Sequence, residues 1–290
     1  MDGTFKTVPT IFHQLYSIHA PVGHCTNSRI LPLVFALLSS KSKQCYIRMF
    51  QDLQDYASEN NIVLQPDYIL TDFEQAAISA VKQEFTNSQS RLCLFHLGQS
   101  MWRKVQSVGL SIKYGEDEEF SLLIRHLLAL AFLPSEEIPS AFAEVKKQLE
   151  IEPGTEYLLM WFEENYVLGR VRKTLRNGNI VRGLPLFSPE LWSVFNQNIP
   201  RTQNNIEAWH RRWECLVGES HVGVYHLIKE LQKEQKSTEI MIESILSGVP
   251  RPRPNKKNEQ REDRIQNVIQ NYGNVPVLEF LRGIAYNMTL

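Results

Sequence analysis

The sequence predicts an α/β fold built around a mixed sheet, with three antiparallel strands first and parallel strands after them. Three observations predict it. Residues 1–40 are rich in β-branched and aromatic residues separated by turn residues. Residues 43–108 alternate between helical periodicity and short apolar runs, and residues 116–199 show helical periodicity alone.

Three strands are predicted in the N-terminal segment, over residues 4–8, 11–19 and 30–38. Pro9 follows the first strand, and Pro21 and Gly23 follow the second. Because successive strands with short connections usually pair antiparallel, we expect a meander here.

Helices and strands then alternate along the chain. The predicted elements are a helix over 43–59, a strand over 68–71, a helix over 73–85, a strand over 91–95 and a helix over 97–108. Asp72 stands directly after the strand over 68–71, and Gly109 stands where the last helix ends. A carboxylate at the C-terminal end of a strand is a common catalytic position in α/β folds.

The element order βββαβαβα is that of a ribonuclease-H-like core. Helices predicted over 119–132, 135–149, 155–167 and 189–197 form a helical insertion. Helices over 205–217 and 222–247 follow it, and a proline-rich linker leads to one or two short helices. We therefore predict a core of residues 1–110 plus 200–248, an insertion of residues 111–199, and a linker with a helical tail over 249–290.

Composition narrows the class of protein. The chain has 290 residues, 43% of them hydrophobic, which suits a globular protein. It has no apolar run of about 20 residues, so no membrane span is expected, and no secretory signal is evident. The four cysteines form no CxxC pair, which favours reduced thiols in an intracellular protein.

Positive charge is concentrated although the net charge is only −1. No acidic residue lies between Glu164 and Glu190, and that stretch contains Arg170, Arg172, Lys173, Arg176 and Arg182. A second basic cluster spans residues 251–264. Either can contact DNA phosphates, and the alternative for both is a solvated face.

Three acids from distant parts of the sequence are expected to meet in such a core. Asp2 lies at the first strand, Asp72 ends the fourth, and Glu207 lies on the late helix. Three adjacent carboxylates need cations, and hard oxygen ligands suit Mg²⁺ or Mn²⁺. Two such ions can activate the attacking oxygen and stabilise the leaving oxygen in phosphodiester transfer.

Each acid also has a plain structural explanation. Asp72, with Gln75 three positions later, can be the N-cap of a capping box. Asp2 can belong to a frayed terminus. Glu207 can be a solvated residue of the first helical turn, where the helix dipole favours it.

Five motifs in order resemble the Mutator-like element (MULE) transposase domain, over roughly residues 1–218. They are Asp2-Gly3-Thr4-Phe5-Lys6, Phe12-x-Gln14-Leu15-Tyr16, Thr71-Asp72-Phe73-Glu74-x-Ala76, Cys93-x-x-His96 followed by Trp102-Arg103-Lys104, and Asn204-Asn205-x-Glu207-x-Trp209-His210. The most specific of them is Asp72 with the Cys-x-x-His about twenty residues later.

The resemblance implies a ribonuclease-H-like core with a DDE metal triad, Asp2, Asp72 and Glu207, interrupted by a helical insertion. It implies cut-and-paste movement of DNA with Mg²⁺ or Mn²⁺, acting on transposon ends and target DNA. It also implies a homo-oligomer and a nuclear location. The strand of the first acid is short and no N-terminal zinc-binding domain precedes it, so we expect a truncated copy, an incomplete gene model or a domesticated derivative.

The remaining motif residues lie beside the acids in sequence. Cys93 and His96 cannot close a four-ligand zinc site. We favour His96 as an active-site neighbour, against a structural Cys–His pair at a strand end. His210 lies one turn after Glu207 and can help orient it. Trp209 and Trp213 are expected to pack in the core.

Three functions remain open from the sequence. The first is a DDE-type DNA transposase. The second is a domesticated, catalytically inactive nuclear protein that keeps the fold and binds DNA or protein, with Arg170, Arg172, Lys173 and Arg176 as its candidate DNA-binding residues. The third is a relic with no function of its own.

Overall fold

The computed structural model of the chain describes residues 1–24, 27–195, 204–252 and 255–288, without the side chains of residues 204 and 205. It is a mixed α/β structure with about 55% helix and small sheets. In chain order its elements are β1 (Asp2–Thr4), β2 (Gln14–Val22), β3 (Arg29–Leu38), α1 (Lys43–Glu59), β4 (Tyr68–Thr71), α2 (Gln75–Glu84), β5 (Gln89–Leu92), α3 (Leu94–Ser107), α4 (Ser111–Glu116), α5 (Glu118–Ala129), α6 (Ile138–Leu149), α7 (Glu156–Phe162), β6 (Val171–Thr174), β7 (Ile180–Arg182), α8 (Pro189–Trp192), α9 (Asn204–Val217), α10 (Val224–Leu246), α11 (Lys256–Gln270) and α12 (Val277–Tyr286).

The chain divides into two compact units. The first unit comprises Met1–Arg91 with Gln203–Arg253, and the second comprises Leu92–Thr202 with Pro254–Leu290. Helix α3, predicted in the core, belongs to the second unit, as do α11 and α12 of the predicted tail. The predicted boundary at 199–200 lies outside the described residues.

The first unit is built around an antiparallel sheet of strand order β1-β2-β3. Because side chains alternate along a strand, the β2 residues Leu15 and Tyr16 enter different cores. Leu15 packs with Trp209 and Trp213 of α9, whereas Tyr16 packs with Phe50 of α1 and residues of α2. The sheet is therefore covered by helices on both faces.

Strands β4 and β5 form a second, two-stranded sheet. The backbone nitrogen of Met1 donates a hydrogen bond of 2.8 Å to the carbonyl of Leu70, which joins the start of β1 to β4. The predicted element order is confirmed, but the strands lie in two sheets. The ribonuclease-H-like core therefore stays a prediction.

The second unit is mainly helical. Asp117 caps α5 by accepting a hydrogen bond of 3.0 Å from the Phe120 amide. The core of the second unit includes Phe142, Phe162 and Trp192, each almost fully buried. Strands β6 and β7 form an exposed antiparallel hairpin that the sequence did not predict.

Several predicted boundaries differ from the structure. The first strand is Asp2–Thr4, earlier than predicted, and β5 ends at Leu92. Cys93 occupies the N-cap position of α3, so residues 93–95 do not belong to a strand. The predicted helix over 189–197 is α8, which ends at Trp192, and residues 196–197 lie outside the described part.

Candidate active site

Asp2 is held within the strand ladder. It pairs with Ser17 in the β1–β2 register and is only 9% exposed. The Gly3 amide donates a hydrogen bond of 2.7 Å to its Oδ1. The hydroxyl of Ser17 donates to its carbonyl at 3.4 Å. Asp2 therefore does not belong to a frayed terminus, and that alternative is wrong.

Asp72 follows β4 directly, and its Oδ1 is buried without a hydrogen bond from any described residue. Helix α2 begins at Gln75 with Glu74 at its N-cap position, so the alternative that Asp72 caps this helix is wrong. Burial, followed by the charges of Asp2 and Glu74, raises the pKa of Asp72 to about 6.

Glu207 is positioned by the packing of α9 against the sheet. The rings of Trp209 and Trp213 stack with centroids 5.6 Å apart. The Trp213 indole donates a hydrogen bond of 3.1 Å to the hydroxyl of Thr7. Both tryptophans are at most 5% exposed, which confirms that they pack in the core.

The carboxylate of Glu207 resembles that of Asp72 in its surroundings. Its Oε1 is buried and accepts no hydrogen bond within the described part of the chain. Burial and the charge of Asp2 raise its pKa to about 7, although Arg211 acts in the opposite direction. Asp2 therefore disfavours the ionised form of both other acids.

Two histidines lie beside Asp2. Nε2 of His210 is 3.4 Å from Oδ2 of Asp2, so this ring lies next to the first acid. Nε2 of His19 is 2.9 Å from the hydroxyl of Ser17, and burial lowers the pKa of His19 to about 3. His19 was not predicted, although its place two residues after Ser17 in β2 follows once the register is known.

A polar chain supports the segment after Asp72. The phenol of Tyr46 donates a hydrogen bond of 2.9 Å to Oε1 of Glu74, and Nε2 of Gln14 donates to that phenol at 2.7 Å. Lys41 pairs with Oε2 of Glu74 at 3.0 Å. Glu74 and Gln14 belong to two of the motifs quoted above, but Tyr46 and Lys41 belong to none of them.

The donor chemistry at this site fits a hard divalent cation, because two buried carboxylate oxygens lack hydrogen-bond donors and a third carboxylate repels their charge. The distances between these side chains do not form a complete metal site. Among the described residues, no group of three or more His, Cys, Asp or Glu side chains is arranged to hold a metal ion.

The other predicted site residues lie in the second unit. Cys93 is fully buried at the start of α3, and His96 follows in its first turn. The basic residues Arg170, Arg172, Lys173 and Arg176 are exposed and lie on or beside the β6–β7 hairpin. The roles proposed for them from the sequence stay predictions.

No helix within the described residues has the length and apolar character needed to cross a membrane.

No curated protein and no solved structure matches the chain significantly. The family model of the MULE transposase domain matches residues 1–100, which include Asp2, Asp72, Cys93 and His96. Glu207 and His210 lie outside that match. The match confirms the family resemblance for this part of the chain: residues 1–100 are similar to a MULE transposase domain.

Proposed function

We propose that the chain is the catalytic domain of a MULE-type DDE DNA transposase, with Asp2, Asp72 and Glu207 as its metal-binding acids. One observation carries the proposal. Asp72 and Glu207, far apart in sequence, both have buried carboxylate oxygens without donors, and the charge of Asp2 raises the pKa of each. Such mutual repulsion is the property that bound divalent cations relieve.

The arrangement of the first unit supports a ribonuclease-H-like core. Helices cover both faces of the antiparallel sheet, and the Met1–Leu70 hydrogen bond brings β1 beside β4. In that core the first and fourth strands are neighbours, which places Asp2 beside Asp72. The effect of the Asp2 charge on the pKa of Glu207 supports a position of α9 at the same edge.

The proposed chemistry is phosphodiester hydrolysis followed by strand transfer. Water attacks a phosphorus at the transposon end, the bond to the 3′ oxygen breaks, and a 3′ hydroxyl is freed. The oxygen of that hydroxyl then attacks a phosphorus of the target DNA, the bond from this phosphorus to the target's own 3′ oxygen breaks, and the target strand is left with a free 3′ hydroxyl that takes up the proton. Bound Mg²⁺ or Mn²⁺ supplies charge stabilisation for the reacting oxygens.

The chain's own residues have positioning tasks in this scheme. The three carboxylates hold the cations, and His210 lies beside Asp2, with its Nε2 3.4 Å from Oδ2 of that acid. The hydrogen bond from Tyr46 to Glu74 fixes the backbone that follows Asp72. DNA as substrate, a homo-oligomeric assembly and a nuclear location complete the proposal.

A nicking assay on plasmid DNA with Mn²⁺ or Mg²⁺ tests this function. We expect Asp72→Asn and Glu207→Gln to lower the rate at least about 100-fold, because each removes a charge that holds the cations. Asp67→Asn and Glu214→Gln are the matched controls. Asp67 is an exposed acid just before β4, and Glu214 is on α9 in a surface pair with Lys6. Metal-dependent nicking that survives both site variants would contradict the proposal.

The second candidate is a domesticated, inactive nuclear protein that binds DNA. The lack of a complete three-ligand arrangement among the described residues favours it. This candidate predicts a folded protein that binds duplex DNA equally well with and without Mg²⁺. It also predicts that Asp72→Asn leaves DNA affinity unchanged.

A further inference from the structure

The basic run between residues 170 and 182 folds into a defined two-stranded ribbon. Val171 pairs with Arg182, and Thr174 pairs with Ile180. The turn is closed by a hydrogen bond of 2.8 Å from the Leu175 amide to the Asn179 carbonyl. All residues from 170 to 180 are exposed to solvent, so β6 and the turn that follows it are accessible.

The base of the ribbon is fixed to the helical body. Arg182 donates to the Gly169 carbonyl at 2.9 Å and pairs with Oε1 of Glu163 at 2.5 Å. Glu163 is only 7% exposed and also pairs with Lys146 at 2.6 Å. Gly169 has a φ of +80°, and a Cβ there would overlap the Gly183 carbonyl oxygen. The two segments therefore approach too closely for a side chain.

Ion pairing separates the basic residues into two groups. Arg182 is bound to Glu163, and Arg170 lies 3.4 Å from Glu164. Arg172, Lys173 and Arg176 form no ion pair with any described carboxylate. The second group therefore has positive charge available for an external partner.

We propose that the β6–β7 hairpin is a DNA-binding ribbon that enters a groove of the duplex, with Arg172, Lys173 and Arg176 contacting phosphates. The proposal rests on the proposed function in taking DNA as the substrate. A two-stranded ribbon fits the major groove, and cations without acidic neighbours favour a polyanion. Because Arg182 and Glu163 hold the base, the ribbon is preorganised and loses little conformational freedom on binding.

Duplex DNA binding measured over a salt series tests the ribbon. The test variant carries Arg172→Gln, Lys173→Gln and Arg176→Gln. The control carries Lys82→Gln, Lys147→Gln and Lys229→Gln, three exposed lysines elsewhere with the same charge change. We expect the slope of log K against log salt to fall by up to about 2.7 in the test variant, since each phosphate contact contributes about 0.9. The control should keep the wild-type slope.

A charge-conserving variant separates lost contacts from lost folding. Arg172→Lys with Arg176→Lys keeps the positive charge and should keep most of the salt slope. An unchanged slope in the glutamine variant would overturn the proposal. It would also be overturned if the glutamine variant lost binding to a polyglutamate peptide but not to DNA, which would indicate an acidic protein as the partner.

Mn²⁺ calorimetry distinguishes failure of the ribbon from failure of the catalytic proposal. The glutamine variant leaves Asp2, Asp72 and Glu207 unchanged and should bind Mn²⁺ as the wild type does. If the glutamine variant has a smaller salt slope than the wild type but the wild type never nicks DNA, the DNA-binding proposal is supported and the catalytic proposal is contradicted. If nicking is lost in Asp72→Asn but the glutamine variant keeps the wild-type salt slope, the catalytic proposal is supported and the DNA-binding proposal is contradicted.

Discussion

At the scale of single residues, Asp72 has surroundings that favour its protonated form. Its pKa rises from 3.8 to about 6 because of burial, followed by the charges of Asp2 and Glu74. Between these two values the folded protein binds a proton that the unfolded chain has released. The free energy of unfolding must therefore fall as the pH rises through this window.

We predict that Asp72→Asn removes this part of the pH dependence in metal-free protein. The wild type should lose up to about 3 kcal/mol relative to the variant between pH 4 and pH 6. Urea unfolding in EDTA at several pH values measures it. Addition of Mg²⁺ at pH 7 should stabilise the wild type more than the variant, because a ligand of the native state stabilises that state. A pH-independent difference between the two proteins would contradict this account.

His126, in the second unit, changes the free energy of unfolding with pH in the opposite direction to Asp72. It is 2% exposed on α5, and neither ring nitrogen has a hydrogen-bond partner among the described residues. Burial, followed by the charges of Arg282 and Arg125, lowers its pKa from 6.5 to about 4. The unfolded chain therefore takes up a proton before the folded protein does as the pH falls.

We predict that His126→Leu reduces the acid sensitivity of the protein. The wild type should lose up to about 3 kcal/mol more than the variant as the pH falls from 6.5 to 4. Because leucine has no polar atom to leave unpaired, the variant should fold at least as stably at pH 5. Thermal unfolding from pH 4 to pH 7 measures both. If the two proteins lose stability equally as the pH falls to 4, His126 is not the group that causes the acid sensitivity.

The family resemblance indicates three candidate acids but not their surroundings. Asp2, Asp72 and Glu207 belong to sequence motifs, and the structure links them electrostatically through Asp2. His19 and Lys41 were not predicted. Their proximity depends on strand register and on a loop contact with Glu74, which local sequence patterns do not encode.

At the scale of elements, α9 is held in place by a buried acid of α10. Glu234 is 2% exposed and accepts a hydrogen bond of 2.7 Å from the indole of Trp209. It also pairs with Arg212. These contacts fix α9, which carries Glu207 and His210.

We predict that Glu234→Leu lowers the free energy of unfolding by about 1–3 kcal/mol, because it leaves the Trp209 N–H buried without an acceptor. Glu234→Gln keeps an acceptor and should cost less. Glu239→Gln, an exposed change on the same helix, should stay within about 0.5 kcal/mol of the wild type. Urea unfolding of the three variants tests the order. Equal stability of Glu234→Leu and Glu239→Gln would show that this contact does not hold α9.

Elements with a clear apolar periodicity were predicted well. Helix α1 and strand β4 have the predicted bounds. Helix α1 buries a regular set of apolar residues, whereas β4 buries Ile69 and the polar Thr71. The β6–β7 hairpin was missed because β6 and the turn are fully exposed, so no alternation of buried apolar and exposed polar residues marks it. Residues 93–95 look strand-like, but Leu94, Leu97 and Met101 bury one face of a helix.

At the scale of the whole molecule, the site belongs to a unit that is discontinuous in sequence. The chain leaves the first unit after Arg91 and returns at Gln203. Asp2 and Asp72 therefore come before the intervening helical unit, and Glu207 comes after it. The first unit requires correct folding of both of its segments before all three acids can lie in one structure.

The most direct test is Mn²⁺ binding by calorimetry on the wild type, Asp72→Asn and Glu207→Gln, with Asp67→Asn as control. We expect saturable binding by the wild type and the control, and loss of that binding in both site variants. A folded wild-type protein that binds no Mn²⁺, or site variants that bind it unchanged, would contradict the central claim that these acids form a metal site.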